Sequence, residues 1–151
     1  MIRRVVSRDE LAVNPHLLWN SFVNLLAMEV YDDLTAEQRA AHLVFLYESE
    51  VQNGGHLQFF ENHGTGLLDE TISALGALGA PEHQKLPRYA GDQYTARQRP
   101  VITTAEEYSE VALEDEFGEF DRSFDKARPP LTTCLEIHLL RHTSTFIEMT
   151  P

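Results

Sequence analysis

Thr35-Ala36-Glu37-Gln38-Arg39-Ala40-Ala41-His42-Leu43-Val44-Phe45-Leu46-Tyr47-Glu48-Ser49-Glu50-Val51-Gln52-Asn53-Gly54-Gly55-His56-Leu57-Gln58-Phe59-Phe60-Glu61-Asn62-His63-Gly64 is the stretch that decides the fold. Thr35 followed three residues later by Gln38 is a capping box, in which hydroxyl and amide satisfy backbone N–H groups that the first turn leaves without partners. Ala40, Leu43, Val44, Tyr47 and Val51 then recur at helical spacing. The pattern stops at Asn53-Gly54-Gly55, because glycine accepts the left-handed backbone that closes a helix. A short helix follows from His56 to Asn62, and Gly64 and Gly66 break it. The segment reads as a tight helix–turn–helix junction with Asn53, Gln58 and Asn62 satisfying helix ends. The competing reading is a polar pocket lined by Glu50, His56 and Gln58.

Outward from this junction, other helices have readable ends. Leu68, Ile72, Leu75 and Leu78 mark one that ends at Gly79, before Pro81. Upstream, Asn14-Pro15 reads as a cap followed by Pro at the first helical position, opening a helix toward Asp32. Its stripe is Leu18, Phe22, Leu25 and Leu26, widened by Trp19, Val23 and Val30. Downstream, Pro87 interrupts a weak helical pattern, and Arg97 to Thr103 looks irregular or briefly extended. Thr104-Ala105-Glu106-Glu107 is a second capping box, opening a helix to about Gly118. Pro129-Pro130 starts the last helix, whose face is Leu131, Leu135, Leu139 and Phe146. No alternating run is long enough for a sheet. The expected class is all-α, a single compact multi-helix domain over residues 1–151.

Charge limits the partners. The chain has 24 acidic against 12 Lys plus Arg side chains, a net charge of −12, where a small soluble domain usually carries a magnitude of roughly 2–8. Such a surface repels nucleic acid and anionic membranes and attracts basic proteins. No stretch approaches the roughly 18 apolar residues of a membrane helix. One cysteine, Cys134, and no secretory apolar region point to a reducing, cytoplasmic location.

The acids are concentrated. Glu106, Glu107, Glu110, Glu114, Asp115, Glu116 and Glu119 are the candidate partner-binding residues, with Asp121 and Asp125 completing a run opposed only by Arg122. Glu106, Glu110 and Glu114 fall at successive fourth positions, roughly 6 Å apart on a helix. Like charges so placed destabilise a helix, which a solvated face or a waiting basic partner would each explain. A second acidic group, Glu29, Asp32, Asp33 and Glu37, lies near the first inter-helix turn, and Asp69 and Glu70 suit a helix N-terminus.

Other chemistry has little support. Cys134, His138 and His142 lie at i, i+4 and i+8, so the outer two are roughly 12 Å apart along the axis, more than zinc bonds of roughly 2 Å can bridge. The expectation is no metal and no cofactor. Phosphate loops, nucleophile elbows and zinc-protease motifs are missing from the sequence, and the expectation is a binding protein rather than an enzyme.

The run from Glu50 to Gly64 has a Glu-Val, an Asn-Gly-Gly, a Gln before two aromatics and an Asn-x-Gly, with Ala74-Leu75-Gly76-Ala77-Leu78-Gly79-Ala80 after it. It resembles the DNA mimic protein 19 family, well over Thr35 to Ala80 and loosely elsewhere. Glu50, Asn53, Gly54, Gly55, Gln58, Asn62 and Gly64 carry this match as a scaffold motif. The resemblance implies an all-helical protein whose acidic surface imitates DNA phosphates toward a DNA-binding protein, in the best-known case a helix-turn-helix transcription factor. Homodimers are also implied. Such a protein would be an acidic, protein-binding regulator. The alternatives are an immunity or antitoxin-type protein that neutralises a basic toxin, and an enzyme using the region of Glu50, His56 and Gln58.

Overall fold

The computed structural model describes residues 1–151, and its elements follow the helix signals closely. In chain order they are β1 (Arg4–Ser7), α1 (Arg8–Val13), α2 (Leu17–Met28), a 3-10 turn at Tyr31–Asp33, α3 (Ala36–His63), α4 (Leu68–Ala77), α5 (Pro81–Thr95), α6 (Ala105–Leu113), α7 (Gly118–Lys126), α8 (Leu131–Arg141), α9 (Thr143–Phe146) and β2 (Ile147–Thr150). The class is all-α. One core cluster of 26 buried residues runs from Val6 to Ile147. α3 is its spine, contributing Ala41, Leu43, Val44, Tyr47, Val51, Leu57, Phe59 and Phe60.

Both capping boxes form. Thr35 accepts from the Gln38 N–H and Thr104 from the Glu107 N–H, each with the reciprocal bond back to the cap. Gln38 does more than cap. Its amide nitrogen donates to the carbonyls of Ile2 (2.6 Å) and Thr145 (2.9 Å), so one buried side chain ties the start of α3 to both chain ends.

Four local expectations need correction. The chain contains a small sheet after all: β1 and β2 pair in parallel, Arg4 opposite Ile147 and Ser7 opposite Thr150. Four-residue strands are too short to show alternation, and the partner lies at the far end of the sequence. Asn14 does not open α2. It terminates α1, its N–H donating to the Glu10 carbonyl, and its side chain accepts from the His16 N–H; Asn-Pro served as a turn. α2 ends at Met28, and Val30 is exposed rather than part of the stripe. The helix opened by Thr104 stops at Leu113. Asp115 takes a left-handed conformation (φ 52°), which a short polar side chain tolerates, and Gly118 begins α7 instead of ending α6. α5 continues through Pro87, which is buried, and Leu131, Leu135, Leu139 and Phe146 all enter the core across the α8–α9 break.

Candidate functional site: the glycine junction and the acidic face

α3 is two helices joined at Gly54 and Gly55. Gly54 has φ −150° and ψ 18°, and Gly55 has φ 74° and ψ −174°, a combination open to glycine and essentially closed to other residues. A Cβ on Gly55 would collide with the Asp121 carboxylate, and one on Gly54 with the Gln58 side chain. The break lets α7 bring Asp121 against the start of the second half-helix. Asp121 Oδ1 accepts from the His56 backbone N–H (2.9 Å) and from His56 Nδ1 (2.7 Å). The other ring nitrogen, Nε2, lies 2.7 Å from the Tyr47 hydroxyl. A carboxylate can only accept, so a neutral His56 carries its proton on Nδ1 and Nε2 accepts from Tyr47. His56 and Tyr47 are both 0% exposed. Burial, with the nearby Asp121 charge adding to it, raises the Tyr47 pKa well above its ordinary value.

On the other side of the break, Glu50 gathers the amides. Its Oε2 accepts from Gln58 (2.8 Å) and Asn62 (2.9 Å), its Oε1 meets His63 Nε2 at 3.0 Å, and Asn53 donates to Gln58 Oε1 at 3.0 Å. Burial pushes the Glu50 pKa up, but the bonds from Gln58, His63 and Asn62 outweigh it and leave the carboxyl below its ordinary value. Gly64 closes the helix with φ 61°. The motif residues thus form one hydrogen-bonded junction. Glu50 and Gln58 face each other while His56 turns into the core toward Tyr47 and Asp121, so these three side chains do not converge on a shared cavity.

The acidic run divides into two kinds. Glu107 is turned back onto the cap, its Oε2 accepting from the N–H groups of Thr103 (2.7 Å) and Thr104 (3.3 Å) and from the Thr103 hydroxyl (3.1 Å). These bonds, the Thr103 N–H foremost, lower its pKa. Glu116 is a clamp. Arg99 reaches both its oxygens (2.6 and 2.7 Å), and Arg97 one (3.2 Å). The Arg99 guanidinium also sits over the rings of Tyr94 (4.5 Å) and Phe117 (5.4 Å). The bonds from Arg99 chiefly, with those from Arg97, hold the Glu116 carboxyl at about 2. Asp115 stands 3.6 Å from Arg122 at the exposed turn. Glu106, Glu110, Glu114 and Glu119 are exposed. They take no part in the chain's side-chain hydrogen bonds or ion pairs. Glu114 keeps a helical backbone (φ −65°, ψ −19°) one residue past the end of α6, so the spacing of the first three survives the early stop. α6 buries no residue fully and rests on half-buried Tyr108 and Val111.

Three residues of these networks escaped the sequence reading. Asp121 was one acid among many, although its spacing of three from Gly118, the start of α7, puts it in the first turn. Arg97 and Arg99 lie in a stretch without helical pattern, and their signal was two cations just ahead of an acidic run. In the second acidic group Glu29 is paired with Arg4 (2.7 Å). Cys134, His138 and His142 line one cavity: Cys134 is buried beside the Gly79 carbonyl, His138 Nε2 meets the Glu37 carbonyl at 3.1 Å, and the two imidazoles lie 4.6 Å apart. No helix is long and apolar enough to cross a membrane.

The family model described as DMP19-like protein matches residues 32–142, which hold both the glycine junction and the whole acidic run. No curated protein and no solved structure matches the chain. The chain belongs to the DMP19-like protein family.

Proposed function

We propose that this member of the DMP19-like family is a protein-binding regulator that presents carboxylates where a DNA-binding protein expects phosphates. The observation that carries the reading is the outward set Glu106, Glu110 and Glu114, exposed and left without an internal partner. Their rise of roughly 6 Å per step is comparable with the phosphate spacing along a strand, once the path around the duplex is added to its axial rise of roughly 3.4 Å. Glu119 extends the set from α7. Glu107 and Glu116 act from behind, one fixing the start of α6 and the other the turn after it. A net charge of −12 adds long-range attraction toward a basic surface, and association steered this way weakens with salt. The partner is a DNA-binding protein such as a helix-turn-helix transcription factor, and the regulator works as a homodimer.

The test is capture from native lysate at low salt on immobilised protein, followed by elution with duplex DNA and then with salt. The reading expects a DNA-binding protein that duplex DNA displaces, and that is lost when Glu106→Gln, Glu110→Gln and Glu114→Gln are combined. Neutralising Asp32→Asn, Asp33→Asn and Glu37→Gln instead changes net charge equally and should leave capture intact. Equal loss in both variants would assign binding to diffuse charge. A toxin such as a basic nuclease in the eluate would favour an immunity protein, built on the same electrostatics.

A further inference from the structure

A small polar cavity of about 110 Å³ opens between α3, α5 and the α7–α8 connection, and it shares no residue with the Glu50 network or the α6 face. Glu48 enters it from α3 and is 7% exposed. Its Oε1 accepts from the Thr132 hydroxyl (2.9 Å) and the Gln52 amide (3.4 Å). The Thr132 backbone N–H also favours the carboxylate, and no Lys or Arg is paired with it. His83 enters from α5, 2% exposed, with its edge against Phe124. Its Nδ1 is fully enclosed and without a hydrogen bond. Gln52 gives one amide N–H to Glu48, and its carbonyl oxygen is free to accept.

Buried carboxylates are ordinarily paired or fully bonded, because an uncompensated charge away from water is costly. Here burial pushes the Glu48 carboxyl above its ordinary value, with Thr132 offsetting part of that, and burial likewise lowers the His83 pKa. The Glu48 carboxylate and the Gln52 carbonyl oxygen are acceptors, and the neutral His83 imidazole offers one acceptor nitrogen beside its single N–H; the buried negative charge among them favours a cation over an anion. No three His, Cys, Asp or Glu side chains converge here as a zinc site requires. Arg128, the cation at the rim, is turned onto the backbone: its Nη1 donates to the Asp125 and Ala127 carbonyls (3.0 and 2.9 Å), beside Glu82 and Asp125. What the site lacks is a compact cation with several N–H donors, and an ammonium has three.

We propose that this cavity binds a primary ammonium group, from a small amine or from a lysine side chain, between the Glu48 carboxylate, the Gln52 amide oxygen and the His83 imidazole. The site is independent of the acidic face, and either can fail without the other. The test is an amide chemical-shift titration of the full chain at neutral pH with n-butylammonium chloride. The controls are 1-butanol, which lacks the charge, and tetramethylammonium chloride, which lacks the N–H donors, at matched ionic strength. Saturable shifts at Gln52, His83 and Ala127 with butylammonium alone are expected. Glu48→Gln should weaken that binding about tenfold or more, while Glu136→Gln, an exposed site with the same charge change, leaves it unaltered. A blocked Gly-Lys-Gly peptide identifies the source: shifts of the same amides assign a protein lysine, and response to the free amine alone assigns a small amine. An equal response to tetramethylammonium or butanol, unaltered binding in Glu48→Gln, or no saturable shift with either amine source overturns the proposal. The comparison among the salts needs no variant and so does not depend on Glu48→Gln folding.

Discussion

The glycine junction and the outer face of α6 are both rich in carboxylates, and they use them in opposite ways. At the junction Asp121 and Glu50 each accept two or three hydrogen bonds, from a backbone N–H, imidazoles or amides. On α6 the acids Glu106, Glu110 and Glu114 accept none from the protein. A carboxylate tied on all sides specifies the fold, and one left facing water is available to a partner. Acid count alone does not tell the two apart. Glu116 shows this best: it sits in the middle of the acidic run, yet two arginines consume its charge.

The comparison breaks first at Gly55. Gly55→Ala forces a side chain into a positive-φ position and into Asp121, so it should lower stability by about 3 kcal/mol in urea unfolding. Gly66→Ala, where a Cβ would meet open space, should stay within about 0.5 kcal/mol. A small loss at Gly55 would mean that the junction bends freely. Next in size, Asp121→Asn should cost about 2 kcal/mol, since a neutral amide replaces the acceptor of two bonds to buried His56; the downfield ring N–H proton of His56 in the NMR spectrum should move or broaden with it.

Glu116→Gln sharpens the contrast within the acidic run. It should destabilise by about 1–2 kcal/mol at neutral pH. The Glu116 pKa falls from 4.5 unfolded to about 2 folded. Its contribution is therefore complete above the unfolded value and fades as pH falls toward the folded one. Stability curves of wild type and variant should converge between those two pH values, and a gap that persists at pH 2 would contradict the ion pair. The opposite sign holds for Glu48, whose pKa is raised on folding from 4.5: its ionisation costs stability as pH rises above that unfolded value toward the raised folded one, so Glu48→Gln should be neutral or stabilising at pH 7. The smallest stability effect belongs to Glu106→Gln, Glu110→Gln and Glu114→Gln together. It should lie within about 0.5 kcal/mol, with relief of repulsion offsetting any lost helix propensity, while partner capture falls sharply.

What could be read in advance was local. Capping boxes at Thr35 and Thr104, the break at Gly54-Gly55 and the stop at Gly79 are decided within a few residues, and each stands where its chemistry places it. The positive φ fell on Gly55, and the reason is not local: Asp121, 65 residues after His56 in sequence, occupies the space a side chain on Gly55 would need. The Glu50 amide cluster was recognisable as a polar junction because all its members are near in sequence. Arg99 was not, since its value depends on Tyr94, Glu116 and Phe117 meeting around it. The end of α6 was misplaced because Asp115 took the left-handed turn that glycine-based reasoning assigned to Gly118.

The parallel pairing of β1 with β2 sets an order of events during synthesis. All nine α-helices lie between the two strands, so a ribosome must deliver every one of them before Val6 can find its register partner Met149. Until then β1 emerges with its hydrogen-bonding edge open, and such edges attract neighbouring chains. The junction around Gly55 can assemble as soon as α7 has left the exit tunnel, well ahead of that closure. Nascent chains halted after α8 should accordingly bury Tyr47 and His56 while Val6 remains open to exchange and proteolysis.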